Sequence, residues 1–368
     1  MDTRRLMLAG TGTLLALAML PAGAAAAGTG VSVPCSGPGG GAAGLIAAIS
    51  AANAAGGGTV NLAAGCTYQL TAADNSSPML GGNGLPVITS PVTLNGSGTT
   101  IAGNDTSFRI LQVSGTGNLT VQGLTITGGN TTGMGGGILN LEGTLTLNRS
   151  QVTGNTSRGG PMSNGGGIAS GTLGAGPLST TAVNASQVNG NTANGGPRAG
   201  AGGIANGGLA TLNGSQVNGN TAPGGFGGGI LNHGQMTIKG SAVTGNTALT
   251  DSSGDQGGGG GIANLNITPL TGAPDSGVLT LTGSQVSANS ATGLGGGILE
   301  DGVDMHDNLG QPGAPLALQL SQVTGNSAGE GGGIFASTGS PVTLTLSQVL
   351  GNHPDNCEPP GAIAGCTG

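Results

Sequence analysis

The densest run of reactive side chains in the sequence is Glu300-Asp301-Gly302-Val303-Asp304-Met305-His306-Asp307-Asn308. Closely spaced oxygen donors suit a hard divalent cation, and Asp301, Asp304 and Asp307 are the Ca2+ ligand set this run offers. EF-hand spacing is absent. The run therefore reads first as a solvated acidic loop that meets a partner through Glu300, Asp301, Asp304, His306 and Asp307. His306, standing alone, reads as a surface residue. The same stretch of chain also carries Asp251, Asp255, Asp275 and Glu330.

Two catalytic chemistries make demands on the remaining polar residues. A lyase acting on acidic polysaccharides needs Arg or Lys to neutralise a uronate or remove a proton. A glycoside hydrolase needs two carboxylates facing one glycosidic bond. Beyond residue 27 the cations are Arg109, Arg149, Arg158, Arg198 and Lys239, scattered singly, and each reads as solvated or bonded at a corner. Asp-Asp and Gly-His-Gly constellations are missing, and the chain has no Trp on which a sugar could stack. No catalytic residue is assigned. Scattered cations in a chain of net charge -7 also exclude nucleic acid as a partner.

What positions these residues is a repeat. Ser-x-Val-x-x-Asn recurs with Ser150, Ser186, Ser215, Ser241, Ser284, Ser321 and Ser347 at its head. Its valines are Val152, Val188, Val217, Val243, Val286, Val323 and Val349. Its asparagines are Asn155, Asn191, Asn220, Asn246, Asn289, Asn326 and Asn352. Upstream of each stands Gly-Gly-Ile, ending at Ile138, Ile168, Ile204, Ile230, Ile262, Ile298 and Ile334.

The positions five and three before each Ser are mostly apolar, a period of two that marks a half-buried strand. The odd step from there to Ser breaks parity, so a corner must separate two strands. Gly-Gly-Ile starts a third. Three short strands per repeat describe one coil of an all-β, right-handed parallel β-helix. Stacked coils would align the isoleucines, the valines and the asparagines into interior columns, with the asparagines forming an amide ladder. With 83 glycines a helical reading fails, since each costs about 1 kcal/mol in a helix interior.

From Gly-Gly-Ile to Ser the repeats differ in length, and the second, fifth and sixth carry extra loops near 170–178, 264–277 and 300–315. All three enter at one corner, and such insertions often line a binding face. Residues 42–55 read as a short capping helix with Leu45, Ile46 and Ile49 on one face. The boundaries expected are 28–134 for this cap and irregular early coils, 135–356 for the seven repeats, and 357–368 for a C-terminal cap.

Residues 1–27 read as a secretory signal: Arg4 and Arg5, an apolar Leu6–Leu20, then small residues to Ala27. Thr3–Leu8 also resembles a twin-arginine signal, so either export route is open. No second apolar run is long enough for a span. Export favours disulfides, and four cysteines allow three pairings. Cys35–Cys66 and Cys357–Cys366 are expected, because a rod holds its two ends far beyond the roughly 7 Å reach of a disulfide.

The segments AAISAANAAGGGTVNLAAGCTYQLT (47–71), NGLPVITSPVTLNGSGTTI (83–101) and GNHPDNCEPPGAIAGC (351–366) resemble secreted actinobacterial right-handed β-helix repeat proteins. The Gly-Gly-Gly-Ile and Gly-Asn-x-Ala pieces also resemble repeats of chlamydial polymorphic outer-membrane proteins. The resemblance implies a pectin-lyase-like fold and an extracellular place, and implies little about activity. The membrane barrel of the polymorphic proteins is not expected here. The function expected is a secreted, monomeric, non-catalytic scaffold that binds a glycan or surface protein through the loops of repeats five and six. The alternative is a polysaccharide lyase or glycoside hydrolase.

Overall fold

The computed structural model describes residues 30–104, 107–158, 165–172, 178–195, 200–250, 257–267, 275–303 and 312–367. The expected signal segment 1–27 lies outside them, as do Arg198, Asp251, Asp255, Asp304, His306 and Asp307.

The chain is a right-handed parallel β-helix. One coil runs through Ile138–Leu141, Thr144–Asn148, Gln151–Thr153 and Thr156–Ser157. Each segment pairs in parallel with its counterpart one coil on: Ile138 with Ile168, Leu145 with Thr181, Val152 with Val188, Thr156 with Thr192. That register places like residues about 4.8 Å apart along the axis. Val152, Val188, Val217, Val243, Val286 and Val323 are all fully buried, and so are the isoleucines of Gly-Gly-Ile.

The expectation of three strands per coil is corrected to four. After the Asn corners from Asn155 to Asn289, two or three residues such as Thr156–Ser157 form a short strand paired between coils, which shrinks to single bridges at Ser327 and His353. Strands this short show no alternation to read.

Left-handed residues make the corners: one before each Ser, one before each Asn and, in most coils, one just before Gly-Gly-Ile. The residue before each Ser has φ near +50°, and glycine fills it at Gly214, Gly240 and Gly283. Arg149, Ala185, Leu320 and Leu346 take the same strained conformation with a side chain. The Gly-Gly of Gly-Gly-Ile answers a different need. A Cβ on Gly229 would lie 2.8 Å from the Gly261 carbonyl and 2.9 Å from the Asn246 amide.

That amide belongs to a continuous ladder. Asn155 Nδ2 donates to Asn191 Oδ1 at 3.0 Å, and the pattern repeats through Asn220, Asn246, Asn289 and Asn326 to Asn352. Each amide also donates to a carbonyl of the preceding coil, and each backbone N–H of these asparagines donates to the next Oδ1. Asn356 accepts the last amide at 3.1 Å. The serines form a parallel column, Ser150 N–H donating to Ser186 Oγ at 3.0 Å and so on down the rod.

Helix α1 (Gly41–Ala54) closes the N-terminal end, with Leu45 and Ile49 fully buried over the first coil and Ile46 partly so. Val31–Val33 pairs beside Gly58–Leu62, and Cys35 is bonded to Cys66. At the other end Cys357–Glu358 pairs with Ile334–Phe335, Cys357 is bonded to Cys366, and Ile363 is buried against the last coil. No helix among the described residues is long and apolar enough to cross a membrane.

Candidate functional site

The strands that begin at Gly-Gly-Ile bury both of their faces. Ile138 points into the core, Leu139 points outward and is 1% exposed, and Asn140 points in again. The outward residues at the Leu139 position are Ala169, Ala205, Leu231, Ala263, Leu299 and Phe335. The segments entering these strands fold back over them. Met134 and Leu80 pack on Leu139, Leu141 and Ala169, while Phe226 and Leu294 pack on the group around Leu231, Leu265 and Leu299.

Between these two apolar groups the packing fails. Ala169 and Ala205 stand where the flanking coils have Leu139 and Leu231. Gly171 stands where the preceding coil has Leu141, and Gly207 follows it in the next. The missing side chains leave a cleft of about 120 Å³, floored by alanines and glycines and rimmed by Thr172 and His233. The His233 ring lies across Gly207, where a Cβ would come within 2.4 Å of its Cε1. All three insertions leave from strands of this face, Ile168–Gly171, Ile262–Ile267 and Ile298–Val303, and the loops themselves lie largely outside the described residues.

Glu300 and Asp301 are placed differently from the solvated loop expected of them. Both are fully buried on the strand Ile298–Val303, pointing to opposite sides of it. Asp301 Oδ1 accepts from Gly302 N–H at 2.8 Å and from the Ser337 hydroxyl. Glu300 stands in register with Asn264, and thus with Asn232 and Asn206. These residues form a second interior ladder that the sequence reading missed. Asn206 donates to Asn232 at 2.8 Å, Asn232 to Asn264 at 2.7 Å, and Asn264 to Glu300 Oε2 at 2.7 Å. The signal was present: Asn, Ser or Glu recurs two residues after most of the Gly-Gly-Ile isoleucines.

Burial pushes the Glu300 carboxyl up to about 9, and the charge of Asp301 adds to the rise, against the opposing bonds from Asn264 and Ala314. At neutral pH Glu300 is a neutral acid at the end of an amide ladder. Gly313 packs directly on it, since a Cβ there would lie 2.4 Å from Oε1. Asp301 is the one member of the expected Ca2+ set among the described residues, which hold no cluster of three His, Cys, Asp or Glu suited to a metal.

Arg109 also departs from its expected solvated place. It is fully buried, with Nη1 donating to Asn83 Oδ1 at 2.6 Å and Nε to the Met134 carbonyl at 3.0 Å, and burial lowers its pKa to about 10. It ties early coils together and is not offered to a ligand. Arg149, Arg158 and Lys239 are exposed and do not line the cleft.

No family model matches the chain, and no curated protein matches it. Among solved structures it is similar to pectate lyase Pel9A, at 14% identity and a TM-score of 0.46 over 87% of this chain and 78% of that one. It is also similar to the A-module of the Azotobacter vinelandii mannuronan C-5 epimerase AlgE4, at 15% identity and a TM-score of 0.44 over 84% and 93%. The class of the chain, a right-handed parallel β-helix, rests on its own strand register.

Proposed function

We propose that the chain is an exported polysaccharide-binding protein that seats part of a glycan in the cleft between the two apolar groups on the Gly-Gly-Ile strands. The cleft over Ala169, Gly171, Ala205 and Gly207 carries this reading. An apolar floor beside a polar rim suits a sugar, whose C–H face is apolar and whose edge is hydroxyl. Its volume accommodates one ring or acyl group, well below the roughly 300–1,000 Å³ of a site that encloses a whole ligand. The rest of a glycan would leave the cleft past Thr172 and His233 on its rim. The expected contacts of Asp304, His306 and Asp307, with or without Ca2+, lie outside the described residues and belong to this proposal only as candidate ligand-binding groups.

A second reading is a lyase, hydrolase or epimerase acting on the same glycan. It is favoured by His233 on the cleft rim, whose imidazole could move a proton at a bound sugar. It accords with the activities named for the two solved structures.

The test is a panel of polyuronates and neutral glycans offered to the chain lacking residues 1–27, with and without Ca2+. Binding without new reducing ends, unsaturated products or epimerised residues is the expected result. Product formation would establish the second reading in place of the first. Absence of binding across the panel would overturn both.

A further inference from the structure

The C-terminal end of the solenoid is only half closed. The disulfide loop 357–366 covers the coil end beside Ile334–Phe335, where Cys357–Glu358 adds one last strand. It stops short of the neighbouring sheet. There Val342–Thr345 pairs only with Leu316–Gln319, and Gln348–Leu350 only with Gln322–Thr324, each leaving its other edge unpaired among the described residues. Backbone bonding beyond these ladders is local: the Ser347 hydroxyl donates to the Thr345 carbonyl and the Asn352 amide to the Leu350 carbonyl.

The side chains tell the same story. Val342, Leu344 and Val349 occupy core columns whose members are fully buried in earlier coils, yet here they are half-exposed. Leu320, Leu346 and Leu350 are 57%, 81% and 48% exposed around the same end. Proteins normally blunt such an edge with charge, proline or a bulge. From Val342 to Leu350 there is no charged residue and no proline, and Pro341 stands just outside the strand.

We infer that this edge pairs with the same edge of a second copy of the chain, giving a two-fold, end-to-end dimer. The coil end presents alternating inward Val or Leu and outward Thr or Gln, and its best complement is a coil of the same pattern. Among the described residues Val31–Val33 and Thr67–Gln69 at the N-terminal end also pair on one edge only, but α1 covers the core columns there, so the bared columns are those of the C-terminal coil. The free coil edge of another copy is therefore the matching surface. A two-fold contact makes the pairing antiparallel and closes it, so association stops at two. With no charge on the edge, like charges do not oppose the approach. Leu346, strained at φ +50° on the exposed corner, would be covered by the partner rather than by water.

The experiment is sedimentation velocity over a wide concentration range on the chain lacking residues 1–27, together with Leu346→Asp and Leu350→Lys. The expected result is twice the monomer mass for the parent and the monomer mass for both variants, with unchanged circular dichroism and melting in dilute solution. Both positions are exposed, so neither variant should impair folding. A spin label on Ser347 should report a short label-to-label distance in the dimer. A parent that stays monomeric throughout, a dimer that survives both substitutions, or labels held far apart would each overturn the inference.

Discussion

Replacing Asn246 by Ala is expected to cost about 4 kcal/mol of stability, among the largest losses from any single side chain in the rod. The Asn246 amide donates to the Val217 carbonyl at 2.9 Å and to Asn289 Oδ1 at 2.9 Å. Its oxygen accepts both the Asn220 amide, at 2.9 Å, and the Asn220 backbone N–H, at 3.0 Å. Truncation strands these groups in a fully buried column where water cannot reach them, and each stranded group costs about 1–3 kcal/mol before the coil relaxes. Asn352→Ala at the partly buried end of the ladder should cost about 1 kcal/mol, because solvent can replace the lost partners. Urea denaturation of both variants checks the contrast. Equal losses at the two positions would show that the ladder is not the element holding the coils.

Glu300→Gln is expected to stabilise the fold by about 4 kcal/mol near pH 7.5 and to remove most of its sensitivity to alkali. An acid with a folded pKa of about 9 against an ordinary 4.5 holds its proton longer in the folded than in the unfolded chain. Stability is then complete below about pH 4.5, falls as pH rises toward 9, and levels off above it. The slope of that fall is about 1.4 kcal/mol per pH unit. Glutamine keeps the shape and an acceptor for the Asn264 amide, and carries no proton to lose. Denaturation midpoints at several pH values between 5 and 9 decide the matter. A parent that gains stability with rising pH, or a variant that titrates like the parent, would show that Glu300 is ionised in the fold.

The two residues show how far the sequence could be read. Asn246 was legible because it recurs at a fixed offset from Ser241 and Val243, and a polar residue repeated among apolar columns must find its partners in neighbouring coils. Glu300 was misread because its local neighbours, Asp301, Asp304 and Asp307, resemble a solvated acidic run. Its offset of two from Ile298 places it in register with Asn264 and Asn232 instead, and in a solenoid the offset decides burial. The cleft was invisible for another reason. It is made of side chains that are missing at Ala169, Gly171, Ala205 and Gly207, and only stacking against Leu139, Leu141 and Leu231 turns absence into a cavity. The half-open C-terminal end was hidden likewise, since the cysteine pair gives no sign of which part of the last coil its loop covers.

The claim that a glycan occupies this cleft is tested most directly by filling it. Ala169→Leu with Ala205→Leu restores at two coils the residue found at Leu139 and Leu231, so the double variant is expected to fold and melt like the parent or slightly higher. Its affinity for the polysaccharide that the parent binds, measured by calorimetry, should fall at least tenfold, about 1.4 kcal/mol. Unchanged affinity with the cleft filled would place the glycan elsewhere and contradict the account.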